Sequence, residues 1–192
     1  MLSQLSTVKQ RLGLAESDVI DDALLTSFLA AVSARFEREC NRVFGLTETD
    51  EEFAGDETQL VLKVYPIISI TKFDLKQNET DGWVLQANVD YIIRRGCVIS
   101  LRSPLGSSGD QGRVTWIGGY VLPGDLPQPG QTVLPADVES AAVEQVAYWY
   151  QNRNRLGLVS ISAEGGAIQQ FAQLDLLPNV KPTLRKYERW RA

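Results

Sequence analysis

Leu134 to Asn154 reads LPADVESAAVEQVAYWYQNRN. Pro135 suits a first helical turn, where its missing N–H costs nothing. Asp137 and Glu139 follow where the helix dipole favours negative charge. At helical spacing Val138, Ala142, Val146 and Trp149 line one face, widened by Val143, Ala147 and Tyr150. Ser140, Glu144 and Gln151 form the clear polar strip. So wide a stripe predicts a helix buried on about half its circumference or more. This is the expected core helix, and the rest of the chain must pack around it.

Upstream, the apolar period recurs twice. Leu5, Val8 and Leu12 make a short amphipathic turn-and-a-half, closed by Gly13. A longer helix is predicted to begin between Ser17 and Asp22, among capping side chains. Leu25, Phe28, Leu29, Val32, Phe36, Cys40 and Val43 form its apolar side, and Gly45 ends it. Arg35, Glu37, Arg38, Glu39 and Arg42 form its charged reverse. The core helix is expected to pack on Leu25, Phe28 and Val32.

Between these helices the pattern changes. Thr47 to Glu57 is acidic and aperiodic, so a loop is expected; its carboxylates lack the ligand order of a calcium loop. Leu60 to Val64, Ile67 to Phe73, Trp83 to Leu85, Tyr91 to Ile93, Val98 to Leu101 and Arg113 to Ile117 then read as about six short strands. Gly106 to Gly112, GSSGDQG, resembles a phosphate loop only superficially, since no Gly-Lys-Ser/Thr follows. A Pro/Gly-rich connector, Pro123 to Pro135, leads into the core helix. Beyond it, Leu156 to Gln173 has no sustained period, and a last helix is expected from Pro182 to Trp190.

The fold class expected is therefore α+β: a small helical bundle of two main long helices plus short terminal ones, with an inserted antiparallel sheet. It is read as a single domain over 1–192. Within it lie N-terminal helices at 1–46, a β insertion at 58–121, the core helix at 134–155 and a C-terminal arm at 156–192.

Composition removes several function classes. The chain has no histidine and only two cysteines, Cys40 and Cys97. A Ser–His–Asp triad, a Cys–His pair and an ordinary structural zinc site are all excluded. Paired carboxylates remain available to an acid-based hydrolase, but no pair has a motif around it. No catalytic residue, cofactor or metal ligand is expected. Two lone thiols without a CxxC fit a reducing compartment. MLSQLSTVKQRL lacks the apolar run of a signal peptide or membrane span, so no membrane partner is expected.

The net charge is −5, and it is unevenly spread. Residues 1–60 hold five basic and twelve acidic side chains, whereas 181–192 hold five basic and one acidic. An acidic body disfavours tight binding to a phosphate backbone. In the basic tail Lys181, Arg185, Lys186, Arg189 and Arg191 surround Leu184, Tyr187 and Trp190. Leu184, Tyr187 and Trp190 recur every third residue, so on a helix they share a side. The segment is either an arm with aromatic anchors steered by basic residues or a terminal helix folded back on its own domain.

The order of elements, with its short motifs, resembles the head–tail connector (adaptor or head-completion) proteins of long-tailed bacteriophages. Asp21 to Leu25, running on to Cys40-Asn41-Arg42-Val43-Phe44, is similar to that family's opening helix and its exit. Tyr65 to Phe73 resembles its Pro-apolar-Ser-apolar strand, and Asp90-Tyr91 a strand start. Val114 to Tyr120 resembles its strand ending in Gly-Tyr. Leu134 to Asp137 leading to Tyr148-Trp149-Tyr150 and Arg153 resembles the long helix that follows. Leu177 to Val180, with Leu184 and Tyr187, resembles its C-terminal ending. Pro127 to Val133 and Leu158 to Gln173 are longer than in compact members.

The resemblance implies a structural virion protein at the head–tail interface, present in the host cytoplasm during assembly. It implies a homo-oligomeric ring of about twelve copies under the portal protein, joined on its far side to a next connector, stopper or tail protein. Viral DNA would pass through without specific binding. It also implies portal contacts from the C-terminal region, which favours the arm. Rival readings are another connector component (a stopper or tail terminator), a small intracellular enzyme, and a nucleic-acid binder.

Overall fold

The computed structural model describes residues 1–155, 160–162, 168–170 and 175–189 of the 192-residue chain. The elements run α1 (Leu5–Leu12), α2 (Asp22–Cys40), β1 (Thr47–Ala54), β2 (Gln59–Val61), β3 (Ile67–Lys76), β4 (Val84–Gln86) and β5 (Tyr91–Arg94). They continue with β6 (Val98–Leu101), β7 (Gln111–Gly118), α3 (Ala136–Gln151), a 3-10 turn at Arg153–Arg155, β8 (Ser160–Ser162), β9 (Ile168–Gln170) and α4 (Val180–Arg185). The chain divides into a helical unit, Met1–Cys40 with Pro135–Tyr187, and a β unit, Asn41–Leu134 with Glu188–Ala192.

In the helical unit, α3 packs against α1, α2 and α4. On α3 Val138, Ala142 and Val146 are fully buried, and on α2, with which it is in contact, so are Leu25, Leu29, Val32 and Phe36. Trp149 is half-buried and meets Phe28 edge-on, ring centroids 6.0 Å apart. Pro135 sits just before the first turn rather than inside it, its carbonyl accepting the N–H of Val138 at 3.0 Å. Gly13 closes α1 at φ 70°, a conformation that costs glycine no Cβ clash.

The long helix α2 stops at Cys40, not near Gly45. Asn41 turns the backbone left-handed, φ 49°, as a short amide side chain tolerates. Val43 then bridges to Val64 in parallel. Arg42, expected on the charged reverse of the helix, is buried in the β unit instead. Its guanidinium lies 3.3 Å from the Tyr65 ring centroid, 4.8 Å from that of Phe44 and 5.2 Å from that of Tyr120, and it donates to the Tyr65 carbonyl. Stacking on aromatic faces and a hydrogen bond let a charge remain where water is excluded.

The β unit holds two antiparallel sheets rather than one sheet of six strands. One has four strands in the order β1-β7-β3-β4, the other three in the order β2-β6-β5. The acidic stretch expected to be a loop is the edge strand β1, paired residue for residue with β7 from Thr47↔Gly118 to Ala54↔Gln111. Its exposure alternates, but with charged residues on the solvent face the alternation does not read as hydrophobic against polar. Leu60, Leu62, Val64, Phe73, Ile99, Leu101, Val114 and Trp116 form one core. Trp116 is fully buried and donates its indole N–H to the Val64 carbonyl at 2.8 Å. Opposite Phe53, Gly112 is required by space: a Cβ there would lie 2.5 Å from the ring.

The last helix is shorter than expected, ending at Arg185, and Trp190 lies outside the described residues. So does most of Leu158 to Gln173, apart from β8 and β9, which pair antiparallel.

Candidate functional site

The C-terminal segment is the site that the sequence singled out, and its residues go to different places. Leu184 is in the interior of the helical unit, 3% exposed. The Cys40 thiol donates to its carbonyl at 3.5 Å. Tyr187, half-buried, donates its hydroxyl to Asp137 of α3 at 2.6 Å, and Lys186 pairs with the same carboxylate at 3.5 Å. Lys181 pairs with Asp175 at 2.9 Å. That hydrogen bond comes first in holding the Asp175 carboxyl below its usual range, with the Leu176 N–H second. Arg185 is exposed. Arg189 belongs to the β unit, where it pairs with Glu51 at 3.1 Å and donates to the Val61 carbonyl. Trp190 and Arg191 lie outside the described residues. The structure thus joins Lys181, Leu184, Lys186 and Tyr187 to the helical unit and separates Arg189 from them.

A strap that the sequence did not reveal holds this segment down. Gln145 on α3 is fully buried. Its amide donates to the Asp175 carbonyl at 3.1 Å and accepts the Leu177 N–H at 2.8 Å. Asp175 also pairs with Arg35 of α2 at 3.3 Å, and Asn179 donates to Glu144 at 2.6 Å. A buried glutamine taking both a backbone donor and a backbone acceptor fixes an extended stretch much as a strand would. The signal was present in principle: Gln145 interrupts an otherwise apolar face.

The β unit carries a cleft of 380 Å³ lined by Glu51, Glu52, Phe53, Glu57, Leu62 and Arg189 among others. No group of three or more potential metal ligands occurs among the described residues. The same unit holds one strongly paired carboxylate, Asp74. Burial pushes its carboxyl up, but hydrogen bonds from Arg113 and Lys72 outweigh this and hold it below the usual range. Arg113 approaches at 2.7 Å and Lys72 at 3.0 Å. Arg113 in turn lies 4.3 Å from the Trp83 ring centroid, so this carboxylate is committed to a structural network.

Two edge strands stand out. Tyr91, Ile92 and Ile93 on β5 are 39%, 61% and 36% exposed, and Val84 and Leu85 on β4 are 51% and 63% exposed. The sequence marked both as strands without showing that they lie at sheet edges.

No protein-family model and no curated protein matches the chain. Solved structures do match. A chain in the neck of an empty gene transfer agent particle, determined with C6 symmetry, superposes with a TM-score of 0.64 at 15% identity over 98% of this chain and 90% of that one. The fold is similar to that of a virion-neck chain. A chain in the virion of the native gene transfer agent particle gives 0.61 at 16% identity over 98% and 90%. One in the native neck, determined with C12 symmetry, gives 0.58 at 16% over 98% and 89%. The likeness spans both units, with the β unit inserted between α2 and α3. No helix of the described residues is long and apolar enough to cross a membrane.

Proposed function

We propose that this chain is a structural head–tail connector subunit. It forms a ring at the portal vertex of a virion, joins the DNA-filled head to the next connector, stopper or tail protein, and lets DNA pass without gripping it. The observation that carries this reading is the fold likeness to virion-neck chains over 98% of the sequence. The sequence motifs point the same way independently, and the acidic balance suits a conduit that must not hold phosphate. In this reading the exposed basic side chains of Lys181, Arg185 and Lys186, with Arg191 beyond them, steer the C-terminal segment to the portal, while Leu184 fixes it to the helical unit.

The test is electron microscopy of the purified protein, alone and after addition to DNA-filled, tailless heads. Rings of sixfold or twelvefold symmetry, or density added at the portal vertex, are expected. A protein that stays monomeric and leaves the heads unchanged overturns the reading.

A further inference from the structure

The apolar strands β4 and β5 lie at open sheet edges. Among the described residues β4 pairs only with β3, and β5 only with β6. They are also close together, because the Tyr91 ring lies 5.6 Å from that of Phe73, and Phe73 is the register partner of Gln86 on β4. An exposed apolar edge is a template for pairing with another chain unless proline, a bulge or covering structure blunts it. Neither strand contains proline or a bulge. Arg94 ends β5 and Arg95 follows it, both exposed. Arg102 sits 82% exposed beyond β6, 4.0 Å from Asp90.

The opposite edge of the four-stranded sheet has the opposite character. It is β1, whose solvent face presents Glu48, Asp50 and Glu52, all exposed. Lys63 reaches the Asp50 backbone carbonyl at 3.2 Å, and Thr71 donates to Glu48 at 3.0 Å. None of these three carboxylates is in an ion pair among the described residues.

We infer that copies of this chain associate head to tail through the β unit, the apolar β4–β5 edge with Arg94, Arg95 and Arg102 docking on the acidic β1 edge of a second copy. The occupant is another copy because one β unit carries both complementary surfaces: the acidic edge is β1 of the four-stranded sheet, and the apolar, arginine-flanked edge is β4 of that sheet together with β5 of the three-stranded one. A contact between two unlike surfaces is heterologous, and it closes into a ring when its rotation divides the circle. An isologous pairing of β5 with β5 would instead leave the acidic β1 edge uncovered. The ring rests on the connector reading; the choice of surfaces rests on the edges themselves.

Two singly substituted proteins, Ile92→Cys and Asp50→Cys, are mixed and treated with a short bis-maleimide, with the unsubstituted protein as the thiol background. The mixed dimer is expected to exceed either homodimer by about tenfold. Adding Arg94→Glu and Arg95→Glu to the Ile92→Cys protein removes that excess, and Glu48→Lys with Glu52→Lys on the Asp50→Cys protein restores it. Equal mixed and like dimers, or a yield indifferent to the charge swaps, overturns the inference. Micrographs of the unsubstituted protein separate the two readings. Rings without the mixed cross-link keep the connector and discard this interface; the mixed cross-link without rings keeps the interface and discards the ring.

Discussion

The side-chain oxygen of Gln145 accepts the backbone N–H of Leu177 at 2.8 Å, inside the helical unit. With the second bond, from the Gln145 amide to the Asp175 carbonyl, it ties the chain after β9 to α3. Gln145→Leu keeps the volume but leaves a backbone donor and acceptor without their partner. The expected loss is about 2–3 kcal/mol in urea melts, with faster exchange of the Leu177 amide proton. An unchanged midpoint would mean the strap contributes nothing.

Leu184 and Arg185 are neighbours with opposite roles. Leu184→Ala should cost about 2–4 kcal/mol, since the side chain is interior. Arg185→Ala should stay within about 0.5 kcal/mol of the parent in the same melts while weakening attachment to portal-bearing heads. Deleting 181–192 should therefore destabilise the protein as well as prevent attachment. Equal stability losses for both point variants would dissolve the distinction.

Trp149 is half-buried against Phe28, and its buried indole nitrogen has no acceptor among the described residues. Trp149→Ala should cost about 2–4 kcal/mol. Trp149→Phe should cost markedly less, because the lost N–H makes no bond there. Thermal unfolding of the two variants side by side gives the comparison.

Asp74 sets a dependence on acid. Its carboxyl is held below the usual range by Arg113 and Lys72, so the folded state binds the proton less readily than the unfolded chain. Stability from this group is complete above the ordinary carboxylate range. It is lost as pH falls through that range toward the depressed folded value. Asp74→Asn should lower stability at pH 7 by about 3 kcal/mol and flatten the fall below about pH 4. A variant whose melting temperature keeps the parent's acid slope would assign that slope to other groups.

Duplex DNA should bind weakly and lose its hold with added salt, as an acidic body predicts. Sub-micromolar affinity in a gel shift at physiological salt would be incompatible with a passive conduit.

What could be read in advance followed the distribution of apolar side chains. α1, α2 and α3 repeat them every three or four residues, and β7 alternates them cleanly, so these elements were legible. β1 was not, because its solvent face is Glu48, Asp50 and Glu52, and its inward face carries Phe53 as its single large apolar residue. Arg42 reads as a surface charge until Tyr65 and Tyr120, distant in sequence, close around it. Spacing placed Leu184 and Tyr187 on one face but did not say what the face meets; it meets the helical unit. Strand propensity marked β4 and β5, whereas edge position depends on which strands pair.

The insertion of the β unit has a consequence for synthesis. α2 ends at Cys40 and α3 begins at Ala136, so the helical unit draws on both sides of residues 41–134. On a ribosome α1 and α2 emerge first, in contact with each other but without α3, against which both pack. The strands, contiguous in the chain, can pair as they appear, while the helical core waits for the arrival of α3 and the cost of closing a long loop. A nascent chain halted before residue 135 should therefore carry a folded β unit behind two unprotected helices, the stretch most in need of a chaperone.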